Sequence, residues 1–338
     1  MIPEKMRNFI RIADKQARKE EHLCLVPGCQ RKAIQSHAIP RSLIIKAIAE
    51  NGLVYSQNPS FTSMIRMESM DHPQEVVEVG VNKASTFSGF CNKHDSILFA
   101  SIETKSEDLK VSAVFALHLR SLSLEYSRKR LVSSFQQKLN ELLLRNGETG
   151  PPESPFPAIR DYLKFVLDSM FLEKERLGAI NYISIPIGRN IELSCCGVFD
   201  HFFEDGRHFI SYNIISYEEF SFVTLTVFYN GNSLIDSFLA KFGYPENFQL
   251  ENLINDIAFS KGEEPLISPR LWRSLSEDEK QAIRLSLRPP FVRTSLDAPR
   301  IIKLRPTDTG MPPTEQMWLT FVRNLARGTS KSMEKGAP

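Results

Sequence analysis

Long apolar runs are missing from this 338-residue sequence, and none approaches the roughly 18 residues that a membrane-spanning helix requires. Residues 1–22 also lack the continuous apolar segment of a signal peptide. Apolar side chains there, among them Phe9 and Ala13, recur at helical spacing, which predicts an amphipathic helix instead. We therefore expect a cytoplasmic protein with no membrane partner.

Cysteine is scarce, and its number is odd. The five cysteines fall into three groups: Cys24 with Cys29, Cys91 alone, and Cys195 with Cys196. An odd number in a reducing compartment argues against a disulfide framework and leaves metal binding or simple burial.

Charge of one sign does not dominate either, since the formal net charge is only +2. It is uneven, however, because residues 1–50 contain ten Lys or Arg against five Asp or Glu. This excess is compatible with a first domain that faces nucleic acid, and equally with solvated helix faces. A hydrophobic content of 42% with 24% charged residues is ordinary globular composition.

The order of the sequence patterns predicts an α+β protein in two parts. Residues 1–145 read as a helical domain, with one or two long helices between Ser106 and Gly147. Residues 146–157, rich in Gly and Pro, are the predicted linker. Residues 158–328 begin with a helix, continue with β-rich runs at 180–199, 207–217 and 220–231, and return to helix, so they predict a mixed α+β domain. Residues 329–338 are expected to be a disordered tail.

Two short motifs carry residues suited to a metal ion. Cys24 and Cys29 flank a Pro-Gly turn, which lets two thiolates converge. Cys91 and His94, in the segment CNKH, stand at the start of a predicted helix. Two ligands from a turn and two from a helix start make a Cys3His set, which favours structural zinc over three unrelated buried thiols. Because such a site leaves no open position, the zinc would stabilise the fold and take no part in catalysis.

Together these pieces resemble the zinc-bearing members of the HNH nuclease family, which belong to the treble-clef, ββα-metal class. The resemblance covers residues 20–105. It places His37, in the segment SHAIP, at the family's catalytic histidine, and Asp95, directly after CNKH, at the helix-borne ligand of the catalytic ion. Asn82 is the nearest candidate for the middle asparagine of the motif.

The resemblance implies hydrolysis of phosphodiester bonds in nucleic acid, with DNA as the expected substrate. His37 would act as general base, and Mg²⁺ or Mn²⁺ bound at Asp95 would stabilise the charge of the transition state. The α+β part would recognise substrate, a protein partner or a signal. Chains of this architecture resemble bacterial proteins, and by this association alone a role in defence against foreign DNA is expected.

One departure from the family pattern affects the catalytic ion. The residue before the family's histidine is normally an acidic or histidine ligand, and here it is Ser36. Glu103 or Asp71 could complete the shell, although two helical turns would separate Asp95 from Glu103 by about 12 Å along a continuous helix. The alternatives are a structural role for His37, and a treble-clef adaptor that binds nucleic acid or protein without cutting.

Three other features are expected to be structural. His118 lies in an apolar helical stretch and is predicted to be a hydrogen-bonded core histidine. Cys195 and Cys196 lie next to each other in a predicted strand, where neighbouring side chains point to opposite faces, so both are expected to be buried. The basic run at 126–130 could contact phosphate but more often forms a solvated helix face.

Overall fold

The computed structural model of the chain describes residues 3–57, 75–103, 110–149, 156–172, 178–203, 206–228, 232–261, 264–287, 298–305 and 308. Asp71, Ser106, part of the predicted linker and the predicted tail at 329–338 lie outside these ranges. Within them, no helix combines the length and the apolar character that a membrane crossing needs.

The first part of the chain contains helices and four short strands. In chain order they are α1 (Glu4–Ala17), β1 (Gln35–His37), a π-helical turn (Arg41–Ile45) continued by α2 (Lys46–Ile48), β2 (Leu53–Gln57), β3 (Val76–Gly80), β4 (Thr86–Ser88), α3 (Asn92–Leu98), a 3-10 turn (Ala100–Ile102) and α4 (Val111–Arg145). β1 and β4 pair antiparallel as a ribbon of their own, with His37 opposite Thr86. The ribbon continues through a short link into α3.

The second part is richer in strand. It contains α5 (Phe156–Leu172), β5 (Ile180–Ile187), β6 (Leu193–Phe203), β7 (Gly206–Ser216), β8 (Ser221–Phe228), α6 (Asn232–Ala240), α7 (Leu250–Asn255) with a π-helical extension (Asp256–Lys261), β9 (Leu266–Ile267), α8 (Pro269–Ser274) and α9 (Glu277–Ser286). The predicted β-rich runs correspond to β5–β8. The mixed α+β class expected from the sequence is confirmed.

Strands from both parts join one antiparallel sheet. Its seven strands run in the order β3-β2-β9-β6-β7-β8-β5. The short β9 makes the junction, because Ile267 lies opposite Tyr55 of β2 on one side and opposite Leu193 of β6 on the other. Each face of the sheet carries a hydrophobic core; along β8, Phe222 belongs to one and Val223 to the other. The predicted division into domains at the linker stays a prediction.

The long helix α4 lies between the β1–β4 ribbon and the sheet. Its residues from Ala113 to Glu125 are all buried, as expected for a helix that other elements surround. Its last turn ends where the sequence predicts. Gly147 has a φ of +72°, and the N–H groups of Gly147 and Glu148 donate to the carbonyls of Leu144 and Leu143. This pair of hydrogen bonds is the Schellman ending that favours glycine.

Candidate metal centre

The first half of the centre is a tight turn that carries Cys24 and Cys29. The Cys29 amide donates to the carbonyl of Val26 at 3.1 Å, and Gly28 has a φ of +77°, a conformation that glycine adopts without strain. The Cys24 amide donates to the carbonyl of Arg31 at 2.9 Å, which closes the chain behind the turn. Backbone hydrogen bonds therefore fix the main chain of both cysteines in this turn.

The second half is the start of α3. Cys91 is the N-cap residue of this helix, and His94 lies in its first turn, as the sequence predicts. Two backbone hydrogen bonds join this half to the first: Leu25 N–H to Gly89 O at 2.9 Å, and Ile34 N–H to Phe90 O at 2.7 Å. The turn and the helix start are thereby fixed against each other although the two halves are distant in sequence.

The four side chains meet in a geometry that suits a tetrahedral ion. Cys24 Sγ lies 3.3 Å and Cys91 Sγ 3.6 Å from His94 Nδ1, and Cys29 Sγ lies 3.9 Å from Cys91 Sγ. All four ligand atoms lie within 4.8 Å of one another. Zinc bonds of about 2.3 Å to sulfur and about 2.0 Å to nitrogen place the ligands of a tetrahedron about 3.5–3.8 Å apart. The Cys3His cluster could therefore hold a metal ion such as zinc.

The protonation of Cys24 fits the same interpretation. Burial raises the pKa of its thiol to about 11, so the thiol keeps its proton at neutral pH when no cation is present. A bound divalent ion replaces that proton, because the thiolate is the form that ligates. Ion binding at this cluster must then release protons and must weaken as the pH falls.

His37 lies on β1. In sequence, β1 follows the turn that carries Cys24 and Cys29 and precedes α3. His37 Nε2 is 3.1 Å from the carbonyl oxygen of Val81, in the turn between β3 and β4. A carbonyl only accepts hydrogen bonds, so Nε2 carries the proton and Nδ1 keeps its lone pair. Burial holds the pKa of His37 below its ordinary value, and the nearby charge of Arg41 acts in the same direction, while the Val81 contact opposes both. The imidazole is therefore neutral at physiological pH.

Asp95 follows His94 on α3 and acts electrostatically on His37. Its Oδ1 is buried and has no hydrogen-bond partner among the described residues. Such an orphaned carboxylate oxygen suits a hard cation or an ordered water molecule. Ser36, the residue that departs from the family pattern, is also buried, and its Oγ finds no partner in the described ranges.

Glu103 is engaged by other side chains. α3 ends at Leu98 and a separate 3-10 turn follows, so Asp95 and Glu103 do not lie on one continuous helix as the sequence reading assumed. The Glu103 carboxylate accepts from Arg120 Nη2 and from Ser42 Oγ, both at 3.1 Å. Glu103 is therefore held beside the candidate site as half of an ion pair.

Arg120, on α4, is a residue that sequence reasoning missed. Its side chain is only 3% exposed, and the guanidinium stacks on the Phe99 ring with 4.2 Å between the guanidinium carbon and the ring centroid. Burial lowers its pKa, while the charges of Glu103 and Asp95 oppose that effect. The available signal was a charged residue inside the apolar run VFALHLRSLSL, because a buried charge requires a partner.

Asn82 lies in the same turn as Val81 but is exposed. Its side-chain oxygen accepts a hydrogen bond from Arg41 Nη1 at 2.8 Å. Its assignment as the middle asparagine of an HNH motif stays a prediction.

The remaining predicted features are structural. His118 is fully buried, and its Nδ1 lies 2.6 Å from Ser211 Oγ. Cys195 and Cys196 are buried in β6 and belong to the cores on opposite faces of the sheet. The basic side chains at 126–130 make contacts within the fold. Arg128 pairs with Glu264, Lys129 pairs with Glu125, and Arg130 donates to the carbonyl of Ser88.

Comparison of the chain with protein-family models, with curated proteins and with solved structures returns no match.

Proposed function

We propose that the chain is an HNH-type endonuclease in which a treble-clef unit over residues 20–105, closed by structural zinc, presents His37 as general base. One observation carries the proposal: the hydrogen bond from His37 Nε2 to Val81 leaves Nδ1 without a proton, and the charge of Asp95, whose Oδ1 has no partner among the described residues, acts on this ring. A histidine in this state beside a hard-cation ligand is the arrangement that metal-assisted hydrolysis of a phosphodiester requires.

The zinc has a folding role in this proposal. Cys24, Cys29, Cys91 and His94 supply all four ligands of a tetrahedral ion and leave no position for water or substrate. They join the turn at 24–29 to the start of α3, and the β1–β4 ribbon lies between these two segments in the chain. The ion therefore stabilises the unit that carries His37.

His37 takes a proton from the attacking water in the proposed reaction. Its Nε2–H keeps donating to the Val81 carbonyl, which fixes the orientation of the ring while Nδ1 accepts the new proton. Because burial keeps the pKa low, the ring is already neutral and ready to accept at neutral pH.

Asp95 is the residue that would hold the catalytic ion. A carboxylate oxygen suits Mg²⁺ or Mn²⁺, and the orphaned Oδ1 has no competing partner in the described part of the chain. Such an ion, when bound, supplies positive charge to the developing phosphorane and to the leaving oxygen. Arg120 acts from the side of α4, where it fixes Glu103 and adds a cation near Asp95 and His37.

Cleavage of supercoiled plasmid DNA in Mg²⁺ or Mn²⁺ tests this function. We expect wild type to nick the plasmid and His37→Ala and Asp95→Asn to lose at least about 100-fold in rate, since general-base catalysis contributes 10²–10⁴-fold. His208→Gln, on β7, is the matched histidine control and should cleave like wild type. Zinc content and thermal unfolding of all variants must match, so that loss of activity is not loss of fold.

A non-catalytic adaptor is the second candidate, and Ser36 favours it. A buried neutral hydroxyl occupies the position of a charged ligand, and Glu103 is bound to Arg120. If wild-type protein binds DNA or RNA but cuts neither in Mg²⁺ or Mn²⁺, the result contradicts the nuclease function and supports the adaptor function. Cleavage that persists in His37→Ala would contradict the assignment of the base.

A further inference from the structure

The turn between β3 and β4 holds two side chains at neighbouring positions. The carbonyl of Val81 accepts from His37, and the side chain of the next residue, Asn82, accepts from Arg41. The turn itself is fixed, because the amides of Lys83 and Ala84 both donate to the carbonyl of Gly80, at 2.8 and 3.0 Å. His37 and Arg41 are thus anchored side by side on one rigid piece of backbone.

The charge of Arg41 and most of its N–H donors have no partner among the residues that the structure describes. It is exposed, and no carboxylate lies within ion-pair distance of it among the described residues. Within the described part of the chain, one of its five N–H donors is used, in the 2.8 Å hydrogen bond to Asn82. The positive charge of Arg41 also lowers the pKa of His37.

Asn82 can orient the guanidinium of Arg41 without neutralising its positive charge. Its amide oxygen accepts one N–H of the guanidinium and carries no charge. An aspartate at this position would orient the guanidinium equally well but would satisfy its charge. The remaining N–H groups of Arg41 stay available for a planar, two-pronged contact with an anion, and phosphate is the anion that arginine recognises in this way.

We propose that Arg41, oriented by Asn82, forms a phosphate-binding subsite beside His37. The inference rests on the proposed nuclease function for the source of the phosphate, a backbone phosphate of DNA, and assigns Asn82 as the residue that positions Arg41. The bound phosphate lies next to the imidazole that takes the proton from water, which is the placement that in-line attack needs.

Phosphate titration of the full-length, zinc-loaded protein tests the subsite without any catalytic step. Inorganic phosphate is added at constant ionic strength and pH to protein labelled with ¹³C and ¹⁵N in histidine, and the ring signals of His37, assigned with His37→Gln, are followed by NMR. We expect a saturable shift in wild type and at least about tenfold weaker binding in Arg41→Gln, as the loss of a charge-assisted bidentate contact predicts.

Variants at Asn82, with a lysine variant as control, separate the effect of the orientation of the Arg41 guanidinium from the effect of its charge. Asn82→Asp should weaken phosphate binding about as strongly as Arg41→Gln, because the new carboxylate neutralises the guanidinium. Asn82→Ala should weaken it less, about threefold, since the charge remains but its orientation is lost. Lys46→Gln, an exposed cation five residues beyond Arg41, should stay within about twofold of wild type. A short DNA duplex should shift the same His37 signal and compete with phosphate.

The possible results separate this inference from the proposed function. No saturable shift in wild type, or equal weakening by Arg41→Gln and Lys46→Gln, overturns the subsite. Failure of the duplex to compete overturns DNA as the source of the phosphate. Phosphate binding that depends on Arg41, in a protein that cuts no DNA, supports the subsite and contradicts the nuclease function. DNA cleavage with unchanged KM in Arg41→Gln supports the nuclease function and contradicts the subsite.

Discussion

At the scale of single residues, burial determines the charge state of the groups that surround the candidate site. His37 is half-buried with one proton committed to a carbonyl, and Arg120 is almost fully buried between an aromatic ring and a carboxylate. Burial lowers the pKa of both groups. The two residues lie on different elements, and the charge of Arg120 acts on His37.

Removal of the buried cation should make His37 more basic. In Arg120→Met the pKa of His37 is expected to rise, because the positive charge of Arg120 disfavours the imidazolium form. Arg120→Lys keeps a positive charge and should raise the pKa less. Histidine-selective NMR titration of the ring measures this. An unchanged pKa of His37 in Arg120→Met would show that Arg120 has no electrostatic role at the site.

His118 should make the fold sensitive to acid. Burial lowers its pKa to about 3, and its Nε2 has no partner among the described residues, so the folded chain keeps the ring neutral. Above the unfolded pKa of 6.5 both states are neutral and His118 has no effect. Below pH 6.5 the His118 ring takes up a proton in the unfolded chain but stays neutral in the folded chain. The free energy of unfolding therefore falls as the pH falls.

The size of this effect follows from linkage. Between about pH 7.5 and about pH 5, wild type should lose about 2 kcal/mol more unfolding free energy than His118→Gln. Urea denaturation of both proteins at the two pH values measures the difference, and the subtraction cancels every other pH dependence that the two proteins share, that of the Cys3His cluster included. Parallel losses in the two proteins would mean that His118 is protonated equally in the folded and unfolded states.

At the scale of elements, the metal centre joins segments that are short on their own. β1 and β4 have three residues each and α3 has seven, too few for stability in isolation. Apolar packing contributes as well, since Phe90 and Phe99 are fully buried in edge contact with 5.1 Å between ring centroids. The ligands and these two rings together hold α3 against the ribbon.

Removal of the metal should therefore loosen a defined set of elements. After chelation, hydrogen exchange measured by mass spectrometry should lose protection in the turn at 24–29, in β1, in β4 and in α3. β6–β8, which form the centre of the sheet, should keep their protection. Loss of protection throughout the chain, or no loss at all, would contradict a local folding role for the metal.

The sequence predicted those elements whose pattern is local. The amphipathic α1, the Schellman ending of α4 and the start of α3 at Cys91 all follow from residue spacing within one segment. The end of α3 at Leu98 was not predicted, because helical spacing continues beyond it as far as Ile102. β9 was not predicted either, since two residues have no periodicity, and its role comes from the strands on either side of it.

The candidate site was predictable to a similar extent. The metal ligands follow from two local motifs, and His37 and Asp95 follow from the resemblance to a family. The contacts that define their chemistry are non-local: Val81 is 44 residues from His37, and Arg120 is 17 residues from Glu103. Such pairs arise from tertiary packing, and one sequence alone does not identify the partner, even where a charge inside an apolar run indicates that one is needed.

At the scale of the whole molecule, one sheet contains strands from both sides of the predicted linker. β2 and β3 come from the first part of the chain and pair through β9 with strands of the second part. The long helix α4 also packs on the sheet, where Ser121 Oγ lies 3.3 Å from Asn213 Oδ1. The part that carries the Cys3His cluster and the strand-rich part therefore share both a sheet and a core.

Fragments cut at the linker should depend on each other. A fragment of residues 1–149 exposes the apolar face of α4 and is expected to aggregate or to lose near-ultraviolet circular dichroism. Co-expression with residues 150–338 should restore a soluble complex that copurifies in equal amounts. A monodisperse 1–149 fragment with the near-ultraviolet spectrum of a folded protein would show instead that the first part is an independent domain.

The Cys3His metal centre is the premise on which the placement of His37 and the proposed function depend. Native mass spectrometry of the protein as purified tests it most directly. We expect one zinc ion per chain in wild type and in Cys195→Ala, whose thiol is buried outside the cluster, and none in Cys91→Ser. Wild-type protein without bound metal after growth in zinc, or zinc retained by Cys91→Ser with wild-type affinity, would contradict the centre.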